Sequence, residues 1–543
     1  MLRRIEKYPL FSLLIACLGL YFFSLESLQM SIMEARNFVV AREMLTEGNW
    51  FLTTMNGLAR YEKPPMPPWL MTPFISAFGL ENIMAYRLPT SLMASLGVFL
   101  MYFFVKDVSK DSRLALMSAL ILATSFYYIA IRFEAPSDTY THVFMFAGVY
   151  WLYKFFSSEI IKVNYLVLAG LATGFSILSK GPVGPYALLL PFLPALFLSH
   201  KYPNTRKKLK YIILFLAIAA ITGGSWYVYI RLADPAAFIE MARKETGNWS
   251  SYNVRPFYHY WSFFTQTGLW SILALTSLMF TYVIRKTKHE KVYKLSWLWV
   301  IFSLVLLSAI PEKKSRYVVP ILIPLAITTA VYIKYVIENF QDFTTFKTKI
   351  APYAGFILPG IAALLFPLVI IVIDADIRGS MAWYFLVAPL FAATGGFIIW
   401  NTLRKKPGNA FILIIGLHIL ALSLGMKATE YINSNKSYRL ISDFDNSREL
   451  PIYFYEKIEP EVIWEVGEIS LQFEPKNAAS AFPSTFYISV ETDKADELKE
   501  VLQNKDISII NESVYDRNYF TALGRQRIRS RYVTHLLLVQ KIQ

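Results

Sequence analysis

The sequence Tyr61-Glu-Lys63-Pro-Pro65 is the most distinctive part of a long polar loop, residues 31–69, between the first two apolar runs of the chain. The two prolines fix φ, remove two backbone donors and keep Lys63 out of the helical region. An acid and an amine are therefore presented on a stiff, extended piece of chain. Only 17% of all residues are charged, yet this loop is rich in them. We interpret the loop as the floor of an active site.

Apolar runs dominate the rest of the chain, which has 543 residues, 55% of them hydrophobic, and a mean hydropathy of +0.39. About thirteen runs have the length of roughly 17–25 residues that crosses a bilayer core. We place them at 8–28, 84–105, 114–131, 139–156, 164–179, 184–199, 210–230, 267–285, 295–311, 318–337, 351–373, 382–402 and 410–426. The predicted fold class is a polytopic α-helical membrane protein.

The distribution of basic residues predicts the topology. Lys and Arg gather in short loops after every second span, so the net charge of +15 does not indicate nucleic-acid binding. These loops are expected in the cytoplasm. The long loops 29–83 and 231–266 then face outward, and an odd number of spans puts the C-terminal tail on the same side. The basic segment 1–7 precedes a full-length apolar run without a cleavage site, which indicates a membrane anchor.

The tail changes character at about residue 427. Short β-rich runs at 452–455, 469–473, 485–490, 507–510 and 532–539 are separated by Pro, Asn, Asp and Gly. Residues 495–502 have a helical pattern. We therefore predict a membrane domain over 1–426 and a small soluble α/β domain over 427–543. The single Cys17 excludes a disulfide within the chain.

Two carboxylates on the outward side, Glu34 and Asp138, are candidates for catalysis. Each has a simpler alternative. Ser31 and Glu34 have the spacing of a capping box, in which Glu34 bonds back to the Ser31 amide. Asp138 begins a predicted span, where a helix N-terminus favours a carboxylate. Arg42 and Glu43, further along the same loop, are expected at the surface.

Basic and aromatic residues on the same side form a candidate substrate-binding set. Lys180 ends the fifth span, where a snorkelling lysine is the alternative interpretation. Arg316 and its basic neighbours run against the positive-inside trend, which indicates an anionic ligand. The complete set is Arg36, Tyr61, Glu62, Lys63, Arg132, Lys180, Arg316 and Tyr317.

These side chains suit displacement of a phosphate from a sugar. A carboxylate takes the proton of the acceptor, and Arg or Lys stabilises the charge that grows on the leaving phosphate. A lipid-linked donor explains why the site sits at a membrane surface. No Walker loop, GxGxxG motif or zinc-ligand spacing is visible, so a nucleotide-bound donor is not indicated.

Several motifs together resemble the first loop of ArnT-like aminoarabinose transferases, members of the wider GT-C protein-mannosyltransferase superfamily. They are Glu34-Ala-Arg36, Ala41-Arg-Glu-Met-Leu45, Gly48-Asn-Trp50 and Tyr61-Glu-Lys-Pro-Pro65. Asp138, Ser179-Lys-Gly-Pro182 and Lys314-Ser-Arg-Tyr317 fall where that family has similar motifs. The thirteen spans and the small outward domain also resemble this family.

The resemblance implies a GT-C fold in the bacterial inner membrane, with the active site and the C-terminal domain in the periplasm. It implies inverting transfer of a sugar from a polyprenyl phosphate to lipid A or a related acceptor. Lys63 and Arg36 correspond to family residues that bind the donor phosphate. Membrane lipids are the other expected partners, and nucleic acid is not one.

The chain departs from the family pattern at two places. The family usually has Asp-Glu at the start of the loop, and its Asp is the expected catalytic carboxylate; here the pair is Met33-Glu34. A histidine that the family has before Pro256 corresponds to Asn253 or a neighbour. A divalent metal at Glu62 is therefore left open, and no other cofactor is expected.

Two alternative functions stay open. Within the same superfamily, the acceptor is a protein, a glycan or another lipid, as in protein O-glycosyltransferases. A different class is a transporter of sugar-linked lipids. Transporters tend to place ionisable groups near the bilayer midplane and often contain repeated halves. Here the charges lie at one face and no repeat is evident, which favours the enzyme.

Overall fold

The chain is mostly helical in the computed structural model. The structure describes residues 2–23, 25–372, 381–427, 435, 437–445, 449–475, 482–519 and 529–542. The α-helices are Leu2–Lys7, Pro9–Tyr21, Ile32–Thr46, Met66–Phe78, Ile83–Ser109, Ser112–Ala123, Phe126–Glu134, Pro136–Ser157, Val163–Lys180, Leu190–Ser199, Thr205–Leu209, Ile212–Ala233, Pro235–Ser251, Ser271–Ser277, Phe280–Val283, Glu290–Ala309, Val319–Glu338, Phe346–Val372, Met381–Leu403, Pro407–Ser423, Pro460–Val466 and Thr492–Gln503. The strands are Thr54–Met55, Leu58–Ala59, Ile452–Tyr455, Gln472–Phe473, Thr485–Glu491, Ile507–Asp516 and Val533–Lys541.

Eight helices in the described residues are long and apolar enough to cross a membrane. The number is nine if Ser112–Ala123 and Phe126–Glu134, bent by 46° relative to each other, form one broken span. The predicted runs 8–28 and 184–199 give the shorter apolar helices Pro9–Tyr21 and Pro185–Ser199. The chain is a multi-span membrane protein, as predicted, although fewer than thirteen helices of its described residues have the full length of a span.

The predicted span 267–285 is the clearest difference in the membrane part. It folds as the 3₁₀ segment Phe263–Trp270, followed by the short helices Ser271–Ser277 and Phe280–Val283. Gly268 has φ 67° and ψ −121°, which interrupts the helical path. Hydropathy reports how apolar a run is and carries no information about such a break.

The first loop begins with the helix Ile32–Thr46, which we call the loop helix. The predicted capping box is confirmed: the Ser31 hydroxyl accepts from the Glu34 N–H at 3.2 Å, and Glu34 Oε2 accepts from the Ser31 N–H at 3.0 Å. The strands Thr54–Met55 and Leu58–Ala59 then pair as a short hairpin, the rim hairpin. Asn56 and Gly57 form its turn with φ of 56° and 73°, as the two-residue type I′ connection requires.

Arg42 and Glu43 are buried, so their predicted surface position is wrong. They are 6% and 2% exposed. The Glu43 carboxylate accepts from the N–H groups of Asn56 at 2.6 Å and Gly57 at 3.2 Å, which fixes the hairpin turn. The Arg42 guanidinium donates to the backbone carbonyl of Ile463 at 2.8 Å. Both charges therefore hold the loop together instead of facing water.

The C-terminal region contains a five-stranded sheet, as predicted. Its strands follow the order Gln472–Phe473, Ile452–Tyr455, Thr485–Glu491, Val533–Lys541 and Ile507–Asp516. The first three are mutually parallel, and the last two pair antiparallel. The predicted helix 495–502 lies within Thr492–Gln503, which packs Leu498 and Leu502 into the core of the sheet. The boundary at 426/427 stays a prediction, since residues 428–434 lie outside the described ranges.

The sheet region is fastened to the rim hairpin by a reciprocal pair of hydrogen bonds. Asn56 Nδ2 donates to the Ser470 carbonyl at 2.8 Å, and the Ser470 N–H donates to Asn56 Oδ1 at 2.8 Å. The Arg42 contact lies beside it, and Trp464 packs on Phe38 of the loop helix with ring centroids 5.6 Å apart. The C-terminal region thereby supports the loop that carries Lys63.

Candidate active site

A cavity of about 1050 Å³ lies between the first loop and the ends of the membrane helices nearest to it. Among the described residues its lining carries ten Lys and Arg side chains against four Glu side chains. The basic ones are Arg36, Arg60, Lys63, Lys180, Lys244, Arg255, Lys313, Lys314, Arg316 and Arg531. A cleft lined mainly by one sign of charge concentrates ligands of the opposite sign. This cavity therefore favours an anion.

Asp138 is the buried anion beneath these cations. It lies in the first turn of the helix Pro136–Ser157 and is 1% exposed. Its Oδ1 atom accepts a short hydrogen bond from Lys180 Nζ. Arg316 Nε lies 3.8 Å from its Oδ2 atom. The structure thus brings together three residues from separate parts of the chain that the sequence motifs placed in one site.

The supporting backbone explains why this trio meets. Lys180 is the last residue of the helix Val163–Lys180, and Gly181 follows with φ 74°, a conformation that ends the helix there. Arg316 lies in the 3₁₀ turn Ser315–Val318, directly before a membrane helix. Lys180 Nζ also stands 5.2 Å from the ring centroid of Tyr317, a cation–π distance. Two helix ends and one turn therefore converge on Asp138.

Lys63 lines the same cavity from the first loop. Burial lowers the pKa of its ammonium below the usual 10.5, and the nearby Arg60 acts in the same direction. Asp138 and Glu62 partly oppose this shift. Burial also lowers the pKa of Arg60 to about 10. Both groups are cations held in a poorly solvated place, so a bound anion would stabilise them.

The other residues of the Tyr61–Pro65 motif take supporting positions. Tyr61 is buried behind the cavity and donates its hydroxyl to Asp234 Oδ2 at 2.9 Å. Glu62 lines the cavity and pairs with Lys244 at 2.9 Å. Arg36 lines the cavity from the loop helix, and its backbone carbonyl accepts from Arg60 Nη1 at 3.4 Å.

Glu34 and Arg132 do not line the cavity in the part of the chain that the structure describes. Glu34 is completely buried and forms a two-bond ion pair with Arg87, at 2.8 Å and 3.0 Å. Arg132 donates to the Tyr21 carbonyl at 3.0 Å and to the Ser91 hydroxyl at 2.8 Å. For Glu34 this geometry fits the capping alternative. Its carboxylate lies away from the cavity, where a catalytic base would have to be. Arg132 likewise joins helices instead of facing a substrate.

Glu34→Gln is expected to destabilise the protein without stopping its chemistry. The substitution leaves the buried Arg87 guanidinium without a counterion, and breaking such a pair costs about 3–5 kcal/mol. Thermal unfolding in detergent should therefore shift to lower temperature, while turnover per folded molecule is kept. Glu47→Gln, at the exposed C-terminal end of the same helix, is the control and should change stability by less than about 0.5 kcal/mol. Unchanged stability with turnover lost would instead make Glu34 the base.

Several cavity residues outside the predicted set are close to it in sequence, among them Glu134, Glu312 and Arg60. Glu134 accepts a hydrogen bond from the Tyr127 hydroxyl at 2.5 Å. Glu312 pairs with Lys314 at 2.6 Å. Arg60 directly precedes the Tyr61 motif. Because they stand within four residues of predicted ones, their sequence position was a usable signal. Arg87, the partner of Glu34, lies inside a membrane helix, and its position gave no such signal.

The divalent metal left open at Glu62 stays a prediction. Glu62 is paired with Lys244, and in the described residues no group of three or more His, Cys, Asp or Glu side chains is arranged to hold a metal ion. His259 lines the cavity but does not complete such a group. The mechanism proposed below uses the cations of the chain itself.

Comparison with known proteins supports the resemblance to the transferase family. Residues 62–226 match the sequence profile of the family dolichyl-phosphate-mannose-protein mannosyltransferase. An uncharacterised protein of Aquifex aeolicus is 28% identical over 295 residues, which are 53% of this chain and 56% of that protein. An undecaprenyl phosphate-alpha-4-amino-4-deoxy-L-arabinose arabinosyl transferase of Pseudomonas savastanoi is 25% identical over 311 residues, or 55% of this chain and 56% of that protein. The chain thus spans about half the length of the curated relatives it matches.

The fold likeness is more extensive than the sequence likeness. The crystal structure of ArnT from Cupriavidus metallidurans bound to undecaprenyl phosphate has a TM-score of 0.69. The match covers 98% of this chain and 97% of that one at 14% identity. At this identity it shows the fold alone. The resemblance that the first loop predicts is confirmed: the chain has the GT-C fold of ArnT and is similar in sequence to the aminoarabinose transferases.

Proposed function

We propose that the chain is an integral-membrane glycosyltransferase that moves a sugar from a polyprenyl-phosphate donor to lipid A or a related acceptor, with inversion. The observation that carries the proposal is the group of cations, Lys63, Lys180 and Arg316, that faces one cavity above the buried Asp138. A phosphate leaving group needs positive charge that is already in place. This arrangement supplies it at the outward ends of the membrane helices.

In the proposed mechanism the donor phosphate binds Lys63, Lys180 and Arg316. The bond between the sugar carbon and the phosphate oxygen breaks while the acceptor oxygen attacks from the opposite face of the sugar. The leaving phosphate takes the bonding electrons, and the three cations stabilise its charge. Asp138 keeps two of those cations in place because its carboxylate contacts both Lys180 and Arg316.

An acceptor that must lose a proton needs a base in the site, and this requirement decides which class of acceptor suits it. The Glu34 carboxylate is paired with Arg87, and the buried Asp138 carboxylate is paired with Lys180. The family's aspartate position is Met33, which lines the cavity and cannot accept a proton. An ionised phosphate on lipid A attacks without losing a proton, so it suits this site better than a hydroxyl of a protein or glycan. For this reason we propose lipid A or another phosphorylated lipid as the acceptor in preference to a protein.

A direct transfer assay tests the proposal. Purified protein in detergent is incubated with an undecaprenyl-phosphate sugar and lipid A, and the products are followed by mass spectrometry. We expect a lipid A product heavier by one sugar residue. Lipid A and glycoproteins from a deletion strain, examined in the same way, would identify the sugar. A strain whose glycoproteins change while its lipid A does not would favour the protein O-glycosyltransferase, and no change in either would favour a transporter.

We also propose that the cavity and residues 427–543 face the periplasm. The proposal is supported by the loop charges and by the contact between the C-terminal region and the first loop, which puts both on one side. Reporter fusions after Lys427 and after Gln543 check it. Alkaline phosphatase should be active at both points, and fusions that are active only in the cytoplasm would contradict it.

As pH rises, donor binding should weaken at a lower pH than the pKa of an ordinary lysine predicts. Lys63 is surrounded by the charges of Arg60, Glu62, Asp138 and Glu245, and burial lowers its pKa. Below this pKa the ammonium binds the phosphate; as pH rises through it, the charge and the contact are lost. Undecaprenyl phosphate binding, measured from neutral pH to about pH 10, should fall on the alkaline side. Lys63→Arg stays protonated and should flatten that fall, whereas an equal fall in both proteins would assign it to another group.

A further inference from the structure

A second cavity, of about 470 Å³, lies where the C-terminal region meets the membrane part. Its walls come from residues 26–30, which follow the helix Pro9–Tyr21, from Ile83 at the start of a membrane helix, and from the helix Pro460–Val466. Arg517 and Tyr532 complete the wall on the side of the sheet. Neither the proposed transfer nor its cavity accounts for this site.

Arg517 brings an incompletely bonded guanidinium to the second cavity. Its side chain is 2% exposed, and its Nη2 atom donates to the Arg531 carbonyl at 3.3 Å. Its Nε and Nη1 atoms have no hydrogen-bond partner in the described part of the chain. The nearest carboxylate oxygen, Glu465 Oε1, is 3.8 Å from Nη1. Buried donors of this kind are costly unless an acceptor reaches them, so the pair of N–H groups fits an oxyanion.

Two buried carboxylates face the same space. Glu461 is 6% exposed, and within the described residues its Oε2 atom has no hydrogen-bond partner. Glu465 accepts from the Ile441 N–H at 2.8 Å through Oε2, which leaves Oε1 toward Arg517. Burial raises the pKa of Glu461 and raises that of Glu465 to about 7. A cation that donates hydrogen bonds would satisfy these oxygens and favour their ionised form.

The second cavity lies at the membrane boundary. Residues 26–30 begin five positions after the end of the apolar helix Pro9–Tyr21, and Ile83 begins a 27-residue helix that is able to span a membrane. Near these points along the chain, Phe23, Leu80 and Met84 are 59%, 40% and 41% exposed. Exposed apolar side chains beside a polar pocket suit acyl chains next to a headgroup.

We propose that this second cavity binds the headgroup of a zwitterionic phospholipid that carries a primary ammonium. The phosphate oxygens accept from Nε and Nη1 of Arg517, and the ammonium donates to Glu461. A choline headgroup has the same net charge but no N–H to donate. A glycerol headgroup has hydroxyls but no positive charge. The site therefore selects phosphatidylethanolamine over phosphatidylcholine and phosphatidylglycerol.

Native mass spectrometry of the delipidated full-length protein tests this selection. The protein is titrated separately with phosphatidylethanolamine, phosphatidylcholine and phosphatidylglycerol that have identical acyl chains. We expect phosphatidylethanolamine to bind at a concentration roughly tenfold lower than the other two. Equal binding of the three lipids would overturn the proposal, and so would a preference for phosphatidylglycerol.

Two variants and one control locate the site. Glu461→Gln keeps the shape of the side chain and should remove the preference for phosphatidylethanolamine over phosphatidylcholine. Arg517→Gln should weaken the binding of phosphatidylethanolamine at least about tenfold. The matched control, Arg529→Gln, replaces an exposed arginine of the same region and should bind the three lipids as the unmodified protein does. If Glu461→Gln keeps the full preference, or if the control loses it, the proposal is wrong.

Discussion

Lys63→Ala is expected to lower sugar transfer on the order of a hundred- to a thousandfold, the loss that follows removal of one well-placed group that stabilises developing charge. Lys63 reaches the cavity from a loop stiffened by Pro64 and Pro65. Because the contact strengthens as charge moves onto the leaving phosphate, we expect kcat to fall more than the affinity for the donor. Initial rates at saturating undecaprenyl-phosphate sugar give kcat directly.

The control for this substitution is Lys154→Ala. Lys154 is half-buried, as Lys63 is, and pairs with Asp107 at 2.9 Å; it lies at the opposite end of the helix that carries Asp138. Its loss should leave transfer close to that of the unmodified protein. Lys63→Arg should restore little, since a planar guanidinium needs more room and a different geometry than an ammonium. A folded Lys63→Ala protein with normal kcat would reduce Lys63 to an anchor at the membrane surface.

Asp138→Asn is expected to lower turnover about a hundredfold or more, the order reached when a group that organises charge in the transition state is removed. The amide cannot neutralise Lys180 and Arg316, so their mutual repulsion is no longer balanced within the buried cluster. Part of the loss will come from stability, because breaking a buried ion pair costs about 3–5 kcal/mol. Turnover must therefore be measured per folded molecule, with the folded fraction taken from size-exclusion chromatography.

A double-mutant cycle with Lys180→Ala separates the two possible roles of Asp138. If Asp138 acts by placing Lys180, its substitution in the Lys180→Ala background should cost much less than in the unmodified protein. If Asp138 is the base, the two losses should add. A second comparison uses the acceptor: a positioning residue affects phosphate and hydroxyl acceptors alike, whereas a base affects only the hydroxyl. Full additivity, together with a loss confined to hydroxyl acceptors, would overturn the positioning role.

Much of this architecture could be predicted because its signals are local. The capping box at Ser31 and Glu34, the two prolines after Lys63 and the alternation of strands in the tail each follow from a few adjacent residues. Asp138, Lys180 and Arg316 could be grouped because each sits where a predicted span meets the outward surface. Topology alone then brings such residues to one face of the membrane.

The rest depended on contacts between distant parts of the chain. Glu34 is committed to Arg87, which is hidden in a membrane helix, and nothing near Glu34 in sequence predicts that partner. Arg42 and Glu43 look like surface charges because the groups that bury them are the hairpin turn and a carbonyl more than four hundred residues away. Gly268 breaks a run that is apolar enough to be a span. Long-range pairing, unlike periodicity, leaves no pattern in a single sequence.

The reciprocal bonds between Asn56 and Ser470 link two segments that are distant in sequence, so an exchange of segments between relatives has to preserve this link. Asn56 lies in the hairpin turn, and Ser470 lies just before the strand Gln472–Phe473. The two residues present matched donors and acceptors to each other. Ser470 takes part through its backbone N–H and C=O, which any residue supplies, so the match depends on the Asn56 side chain. A chimaera whose first loop lacks this asparagine would lose both bonds and with them this support for the edge of the cavity.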